Sequence, residues 1–129
     1  MSEPIWIQKE LVQAMHLRQL SEHGGGQGIR DEGLLESALQ RPLNKFAYES
    51  PDLPELAAAY AFGIARNHPF IDGNKRTALV TSFTFLYLNG SKVASSQEEN
   101  VRQFLALAAG DVTENELAEW FRKFVRPLE

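Results

Sequence analysis

Two uncharged, largely apolar segments separated by a short charged segment constrain the fold of this chain more than any other feature. Residues 56–65 and 77–91 contain no Asp, Glu, Lys or Arg. Four charged residues lie between them: Arg66, Asp72, Lys75 and Arg76. Helices that are apolar almost all round belong in the centre of a bundle. The sequence therefore predicts two central helices joined by one charged loop.

The residues of that loop predict how it is built. Pro69 disfavours a helical backbone at His68, so the first central helix should end there. Phe70 should anchor the loop in the core. The pair Asp72-Gly73 favours a turn, and Asn74 is a good N-cap residue for the second helix.

The side chains of the loop predict its chemistry. Lys75 and Arg76 would lie in the first helical turn, where the partial positive charge of a helix N-terminus disfavours cations. The arrangement becomes favourable if an anion binds, because free backbone N–H groups, the Asn74 amide and two cations converge there. Asp72 adds a hard oxygen ligand suited to magnesium beside a phosphate, and His68 adds an imidazole that can accept a proton. The pattern predicts a phosphoryl or nucleotidyl transfer site.

The same segment resembles the signature of the Fic/Doc family, His-x-Phe-x-Asp/Glu-Gly-Asn-Gly-Arg-x-x-Arg. Six positions match: His68, Phe70, Asp72, Gly73, Asn74 and Arg76. Lys75 stands in place of the second Gly and Leu79 in place of the second Arg, and both departures are those of the death-on-curing (Doc) branch. Residues 28–36 and 65–68 also resemble that branch.

The resemblance covers nearly the whole chain and implies its fold and activity. It implies an all-α fold, with residues 1–129 forming a single Fic/Doc domain of about six helices and the active loop between two central helices. It also implies a toxin of a type II toxin–antitoxin system, a protein kinase that uses ATP and Mg²⁺ to phosphorylate a threonine of elongation factor Tu and so inhibits translation. A protein adenylyltransferase, which transfers AMP to a hydroxyl, is the alternative, and a non-catalytic binding module is a third hypothesis.

The resemblance also assigns roles to individual residues. His68 would be the general base for the target hydroxyl, and Asp72 would hold magnesium. The phosphates of ATP would be bound and neutralised by four residues: Gly73, Asn74, Lys75 and Arg76. Lys75 would fill the space of the inner phosphates in an AMP-transferring enzyme, and Leu79 removes a ligand for that pose. Both changes favour a reversed nucleotide that presents its γ-phosphate.

A second short motif concerns regulation. Some Fic proteins carry an inhibitory helix with the pattern Ser/Thr-x-x-x-Glu-Gly/Asn, and residues 95–100 fit it by letter. We interpret the match as a coincidence, because Ser96-x-x-Glu99 explains the same residues as a capping box. The resemblance then implies an external inhibitor, a Phd-like antitoxin whose C-terminal segment covers the site.

Composition excludes several other classes of protein. The 129-residue chain contains no Cys, which rules out disulfides and thiolate metal sites and is compatible with a reducing cytoplasm. It shows no signal peptide and no apolar stretch of membrane-spanning length. Its net charge of −4 argues against direct binding to nucleic acid, which requires clustered excess cations. We expect a cytoplasmic protein that contacts neither membrane nor nucleic acid.

The rest of the sequence predicts the outer helices. Periodic apolar residues favour a helix over 9–23 that ends at a glycine-rich turn, residues 24–28, and a short helix over 31–40. Arg41-Pro42 should end that helix, leaving a loop over 43–51. Asp52 should open the first central helix, and Thr113 should open the last helix, each with a Glu three residues later.

Some residues of these outer segments have two readings. In the family, the region before the central helices carries a flap that holds the target, so residues 44–48 could line the substrate groove. The alternative is that Phe46 and Tyr48 pack on the core. We assign His16 and His23 to the surface or to packing, and Trp6 and Trp120 to the core or its edge.

Overall fold

The structure is a computed structural model that describes residues 2–129, and it is mostly helical. Its helices are α1 (Lys9–His23), α2 (Glu32–Tyr48), α3 (Leu53–Asn67), α4 (Asn74–Leu88), α5 (Gln97–Ala109) and α6 (Glu114–Phe124). Two short strands, β1 (Ser91–Val93) and β2 (Val125–Pro127), pair antiparallel. The prediction of an all-α bundle of about six helices is confirmed.

Helix α3 forms the centre of the molecule, as its apolar sequence predicts. Every residue from Leu56 to Ala61 is buried, and α3 packs against α2, α4 and α6. Helix α4 packs against α3 and α1. The two helices that flank the charged loop are therefore the most buried pair, which gives the loop between them a rigid frame. None of the helices in residues 2–129 is both long enough and apolar enough to cross a membrane.

The predicted starts of α3 and α6 are confirmed. The Asp52 carboxylate accepts a hydrogen bond from the Glu55 backbone N–H (2.9 Å), and the Glu55 carboxylate accepts one from the Asp52 N–H (2.8 Å). Thr113 and Glu116 form the same reciprocal pair at the start of α6. Each side-chain cap stabilises its helix by about 1 kcal/mol.

The predicted end of the second helix is wrong. Helix α2 continues through a buried Pro42 as far as Tyr48, so the loop before α3 covers only residues 49–52 and not the expected 43–51. Proline removes one backbone hydrogen bond from a helix. Packing of the second half of α2 offsets that loss, because the Phe46 ring packs edge-on against Trp6, with ring centroids 5.5 Å apart. Arg41 also pairs with Glu114 at the start of α6.

The sequence left two alternatives for residues 44–48: a flap that lines the substrate groove, or packing of Phe46 and Tyr48 on the core. These residues belong to α2, so no loop is present there to form a flap. Phe46 is half-buried and packs against the core, whereas Tyr48 is 86% exposed. The packing alternative is therefore correct for Phe46 and wrong for Tyr48. Trp6 and Trp120 lie at the edge of the core and within it, as predicted.

Candidate active site

The loop between α3 and α4 begins with an unusual backbone conformation. His68 is the C-cap of α3 and has φ 55° and ψ 51°, in the left-handed region, unlike every other non-glycine residue from 2 to 129. The predicted helix end is confirmed, although a residue before proline ordinarily prefers an extended conformation. Phe70 is fully buried, as predicted. A left-handed backbone is costly for a residue with a Cβ, so neighbouring groups must hold His68 in place.

Arg30 supplies part of that support. Its Nε donates a hydrogen bond to the His68 carbonyl oxygen (2.7 Å), and its guanidinium also donates to the Asn67 carbonyl oxygen (2.9 Å). These carbonyl groups lie at the C-terminus of α3, where helical partners are lacking. Arg30 thus caps α3 and fixes the backbone that carries His68.

The glycine-rich segment after α1 pairs with the active loop. Gly24 ends α1, which confirms the predicted turn. The residues after Gly24 pair with the active loop through their backbone. Ile29 and Phe70 form an antiparallel bridge, and the Ile71 N–H donates to the Gly28 carbonyl oxygen (3.1 Å). This pairing joins residues about forty apart in sequence, and no local pattern predicts it.

Two further contacts hold Asp72. Gly25 lies so close that a Cβ there would be 2.8 Å from Asp72 Oδ2, and its φ of +125° also favours glycine. His16 is buried, stacks on Phe70 with ring centroids 3.8 Å apart, and donates from Nε2 to the Asp72 carbonyl oxygen at 2.7 Å. The packing assignment of His16 is correct, but sequence reasoning missed its hydrogen bond to the loop.

Asn74 does not form the predicted N-cap. Gly73 occupies that position with φ 80°, and Asn74 is the first residue of α4 and is buried. The Asn74 Oδ1 accepts from the Phe70 N–H (3.0 Å), and Nδ2 donates to the Phe70 carbonyl oxygen (2.9 Å). Nδ2 also lies 3.2 Å from His68 Nδ1. The amide therefore closes the loop instead of facing outward to an anion.

The start of α4 nevertheless presents a concentration of positive charge. The Gly73 N–H donates to Asp72 Oδ1 (2.8 Å), while the backbone N–H groups of residues 74–76 find no acceptor within residues 2–129. Lys75 and Arg76 are exposed, and neither pairs with an acidic side chain in the described part of the chain. Free donors and two cations at a helix N-terminus suit the binding of an anion.

The structure brings all the predicted site residues to one cavity of about 420 Å³. The polar side of this cavity consists of the predicted residues: His68, Asp72, Gly73, Asn74, Lys75 and Arg76. Its apolar side comes from α4 and α5: Leu79, Val101, Phe104, Leu105 and Ala108. A pocket with one charged side and one apolar side suits a ligand that has an anionic part and an apolar part.

The residues that line the cavity suit magnesium, which needs few protein ligands, better than zinc, which needs several. No group of three or more His, Asp and Glu side chains in residues 2–129 could hold a metal, and Asp72 is the one carboxylate lining the cavity. Magnesium is commonly held by one or two carboxylates and completes its shell with water and phosphate oxygens. Zinc requires three or four protein ligands.

Glu99 does not reach the cavity. Its carboxylate accepts hydrogen bonds from Arg102 (2.7 Å) and from Trp120 Nε1 (3.3 Å), and Ser96 caps α5 by accepting from the Glu99 N–H (3.0 Å). The cap is confirmed, although the reciprocal half of the predicted box is missing. The interpretation of residues 95–100 as a cap and not an inhibitory motif agrees with this geometry.

Comparisons with known proteins match this site and most of the chain. A model of the Fic/DOC family matches residues 6–86. The "Protein kinase doc" of Escherichia phage P1 is 36% identical over 124 residues, which cover 95% of this chain and 98% of that protein. The "Toxin Doc" of Mycolicibacterium smegmatis is 43% identical over 74 residues, 56% of this chain and 57% of that protein.

Proposed function

The chain belongs to the Fic/Doc family, in its Doc branch, and on that basis we propose that it is a Doc-like toxin that transfers a phosphoryl group from ATP to a protein hydroxyl. One observation carries the proposal: the His68 imidazole, the Asp72 carboxylate and a helix N-terminus with no side-chain cap and two cations line the same cavity. The names of the two relatives, a protein kinase and a toxin, support it. By resemblance, the target is a threonine of elongation factor Tu.

The arrangement supports an in-line transfer. The target oxygen forms a bond to the γ-phosphorus, the bond from that phosphorus to the leaving ADP oxygen breaks, and His68 takes the proton of the hydroxyl. Lys75, Arg76 and the free N–H groups at the start of α4 bind and neutralise the phosphate oxygens, which is the main requirement of such a reaction. Magnesium, held by Asp72, would supply further neutralisation of phosphate charge.

The proposed partner is an antitoxin of the Phd type, as the resemblance implies. Val101 and Leu105 on the apolar side of the cavity are 53% and 49% exposed. Two large apolar side chains exposed one helical turn apart beside the proposed site suit coverage by an apolar segment of a partner. An antitoxin that covered them would also close the cavity to nucleotide.

Transfer of AMP is the second candidate. It would use the same base and cations but would place the α-phosphorus of ATP next to His68. Lys75 in the first turn of α4, together with the apolar Leu79 one helical turn later, favours the γ-phosphate pose. A purely binding function is disfavoured because every matched motif residue except the anchor Phe70 lines the cavity.

Intact-mass analysis of elongation factor Tu tests the proposal. The factor is incubated with this protein, ATP and magnesium, and a gain of one phosphate is expected. His68→Ala should slow the reaction by about 10²- to 10⁴-fold, whereas His23→Ala, which removes an exposed histidine at the end of α1, should leave it unchanged. A gain of one AMP would replace the kinase assignment with AMP transfer, and an unmodified factor would contradict it as the target.

A further inference from the structure

The orientation of the Asn74 side chain is fixed by the backbone of Phe70. The amide oxygen accepts from the Phe70 N–H at 3.0 Å, and the amide nitrogen donates to the Phe70 carbonyl oxygen at 2.9 Å. Exchanging the oxygen and nitrogen of the amide would place oxygen against oxygen and N–H against N–H at those two distances. The hydrogen-bond network therefore allows one orientation only.

This orientation decides the proton position on His68. The second hydrogen of the Asn74 amide nitrogen is available to His68 Nδ1, 3.2 Å away. Nδ1 must then act as the acceptor, and a neutral imidazole whose Nδ1 accepts carries its hydrogen on Nε2. Within residues 2–129, Nε2 has no hydrogen-bond partner, and the exposed ring lines the cavity. The ring nitrogen that is free to meet a ligand is thus a donor.

We propose that Asn74 holds His68 in the Nε2–H tautomer, and that His68 donates this hydrogen to a phosphate oxygen of the nucleotide before the target binds. The second part of this inference, the hydrogen bond from His68 to the nucleotide, is its ligand half, and it rests on the proposed function. The donor adds to the free backbone N–H groups of residues 74–76 and to the cations of Lys75 and Arg76, which line the same cavity. Asn74 is in this respect a positioning residue that acts through His68.

The inference also changes the order of events at the base. The lone pair that a base requires is on Nδ1 and is occupied by the Asn74 amide. His68 can accept the proton of the target only after that contact breaks, for instance by a half-turn of the ring. The resting site therefore binds nucleotide with a histidine that is not yet a base.

The tautomer can be measured without any ligand. Long-range ¹H–¹⁵N correlation spectra of the ¹⁵N-histidine-labelled protein, recorded where the rings are neutral, distinguish hydrogen on Nε2 from hydrogen on Nδ1. The chain has three histidines, and the spectrum of His68→Gln identifies the His68 signals. For His68 we expect the cross-peak pattern of a ring that carries its hydrogen on Nε2. A pattern of Nδ1–H would overturn the inference, whatever the protein phosphorylates.

A matched pair of variants tests the ligand half. Glutamine can place an N–H near the position of histidine Nε2, whereas the shorter asparagine cannot. Calorimetric binding of adenylyl imidodiphosphate with magnesium, without target, should be within about threefold of wild type for His68→Gln and about 10- to 100-fold weaker for His68→Asn, the usual range for one hydrogen bond to a charged group. Both variants should lose transfer activity, because neither provides a base.

The outcomes separate the two proposals. Equal binding by wild type and both variants would overturn the donor role of His68 while leaving the kinase proposal intact. Failure of wild type itself to bind the analogue would overturn the proposed function and the ligand half together, and the NMR pattern would still decide the tautomer.

Discussion

The N-termini of α3 and α4, the two central helices, are built in opposite ways. At the start of α3, Asp52 and Glu55 satisfy each other's backbone N–H groups. At the start of α4, Gly73 provides no side chain, and the position that Glu55 holds in α3 is held by Arg76. One end carries its own anions, whereas the other carries cations beside unsatisfied donors.

The difference agrees with the proposal that the start of α3 serves stability and the start of α4 serves binding. Helix α6 repeats the α3 arrangement, with Glu116 three residues after Thr113. Acidic residues in the first turn stabilise a helix, and cations there destabilise it. The start of α4 is thus less stable than it would be with acidic residues in its first turn, and a bound phosphate would supply the missing negative charge. Substitutions that exchange or remove the features of the two helix starts test this contrast.

The largest effect is expected when α4 receives the acid that α3 has. Arg76→Glu should weaken binding of adenylyl imidodiphosphate by about 100-fold or more, because it removes a phosphate ligand and adds a like charge. The same substitution should stabilise the free protein by about 0.3 to 1 kcal/mol, because it complements the helix dipole. Calorimetry measures the first effect, and urea unfolding without nucleotide measures the second.

Arg76→Gln is the matched control for that substitution. It removes the cation without adding an acid, so its binding should lie between wild type and Arg76→Glu, and its stability should change less. Unchanged binding by Arg76→Glu would show that the start of α4 is not the phosphate site. Loss of binding together with loss of stability would mean that Arg76 supports the fold and would remove the contrast with α3.

Much of this contrast was readable from the sequence because it is local. The caps at Asp52 and Thr113 and the helix end before Pro69 each depend on residues within four positions of one another. The six clustered site residues also lie within residues 68–76, so their approach to one cavity follows from chain connectivity.

The features that sequence reasoning missed depend on distant parts of the chain. Arg30 and His16 reach the loop from other elements, and neither belongs to a local pattern that indicates such a contact. Pro42 was expected to end α2, but packing of Phe46 against Trp6 overrides that local preference. Asn74 suits an N-cap by residue type, yet its side chain turns inward because Phe70 offers it two backbone partners.

A smaller effect, on stability alone, is expected at the capped ends. Asp52→Ala should lower the free energy of unfolding by about 1 to 2 kcal/mol, and Thr113→Ala by about 1 kcal/mol, the usual cost of losing an N-cap. Asp52 also accepts from the Arg122 guanidinium at 2.8 Å, so it should show the larger loss. Binding of the nucleotide analogue should not change in either variant. A binding loss that exceeds twofold would contradict the separation of the two helix starts.

The smallest effect concerns the charge of the α3 cap and appears as a pH dependence. Burial raises the pKa of the Asp52 carboxyl, but hydrogen bonds from Arg122 and the Glu55 backbone lower it by more, so the net pKa lies below its ordinary value. A carboxyl with a lowered pKa in the folded state stabilises that state above its unfolded pKa, and this contribution is lost as the pH falls below about 4.

Asp52→Asn isolates that contribution, because asparagine can keep the cap while removing the charge. At neutral pH the variant should be slightly less stable than wild type, since it loses the pair with Arg122. The difference should shrink as the pH falls below about 4, the ordinary pKa of an unfolded Asp, because the lowered pKa of Asp52 places its protonation in the folded protein below that value. Urea midpoints of both proteins above and below that pH measure it. A difference that stayed constant with pH would mean that Asp52 acts on α3 only as a hydrogen-bond acceptor, and that its charge contributes nothing to the contrast with α4.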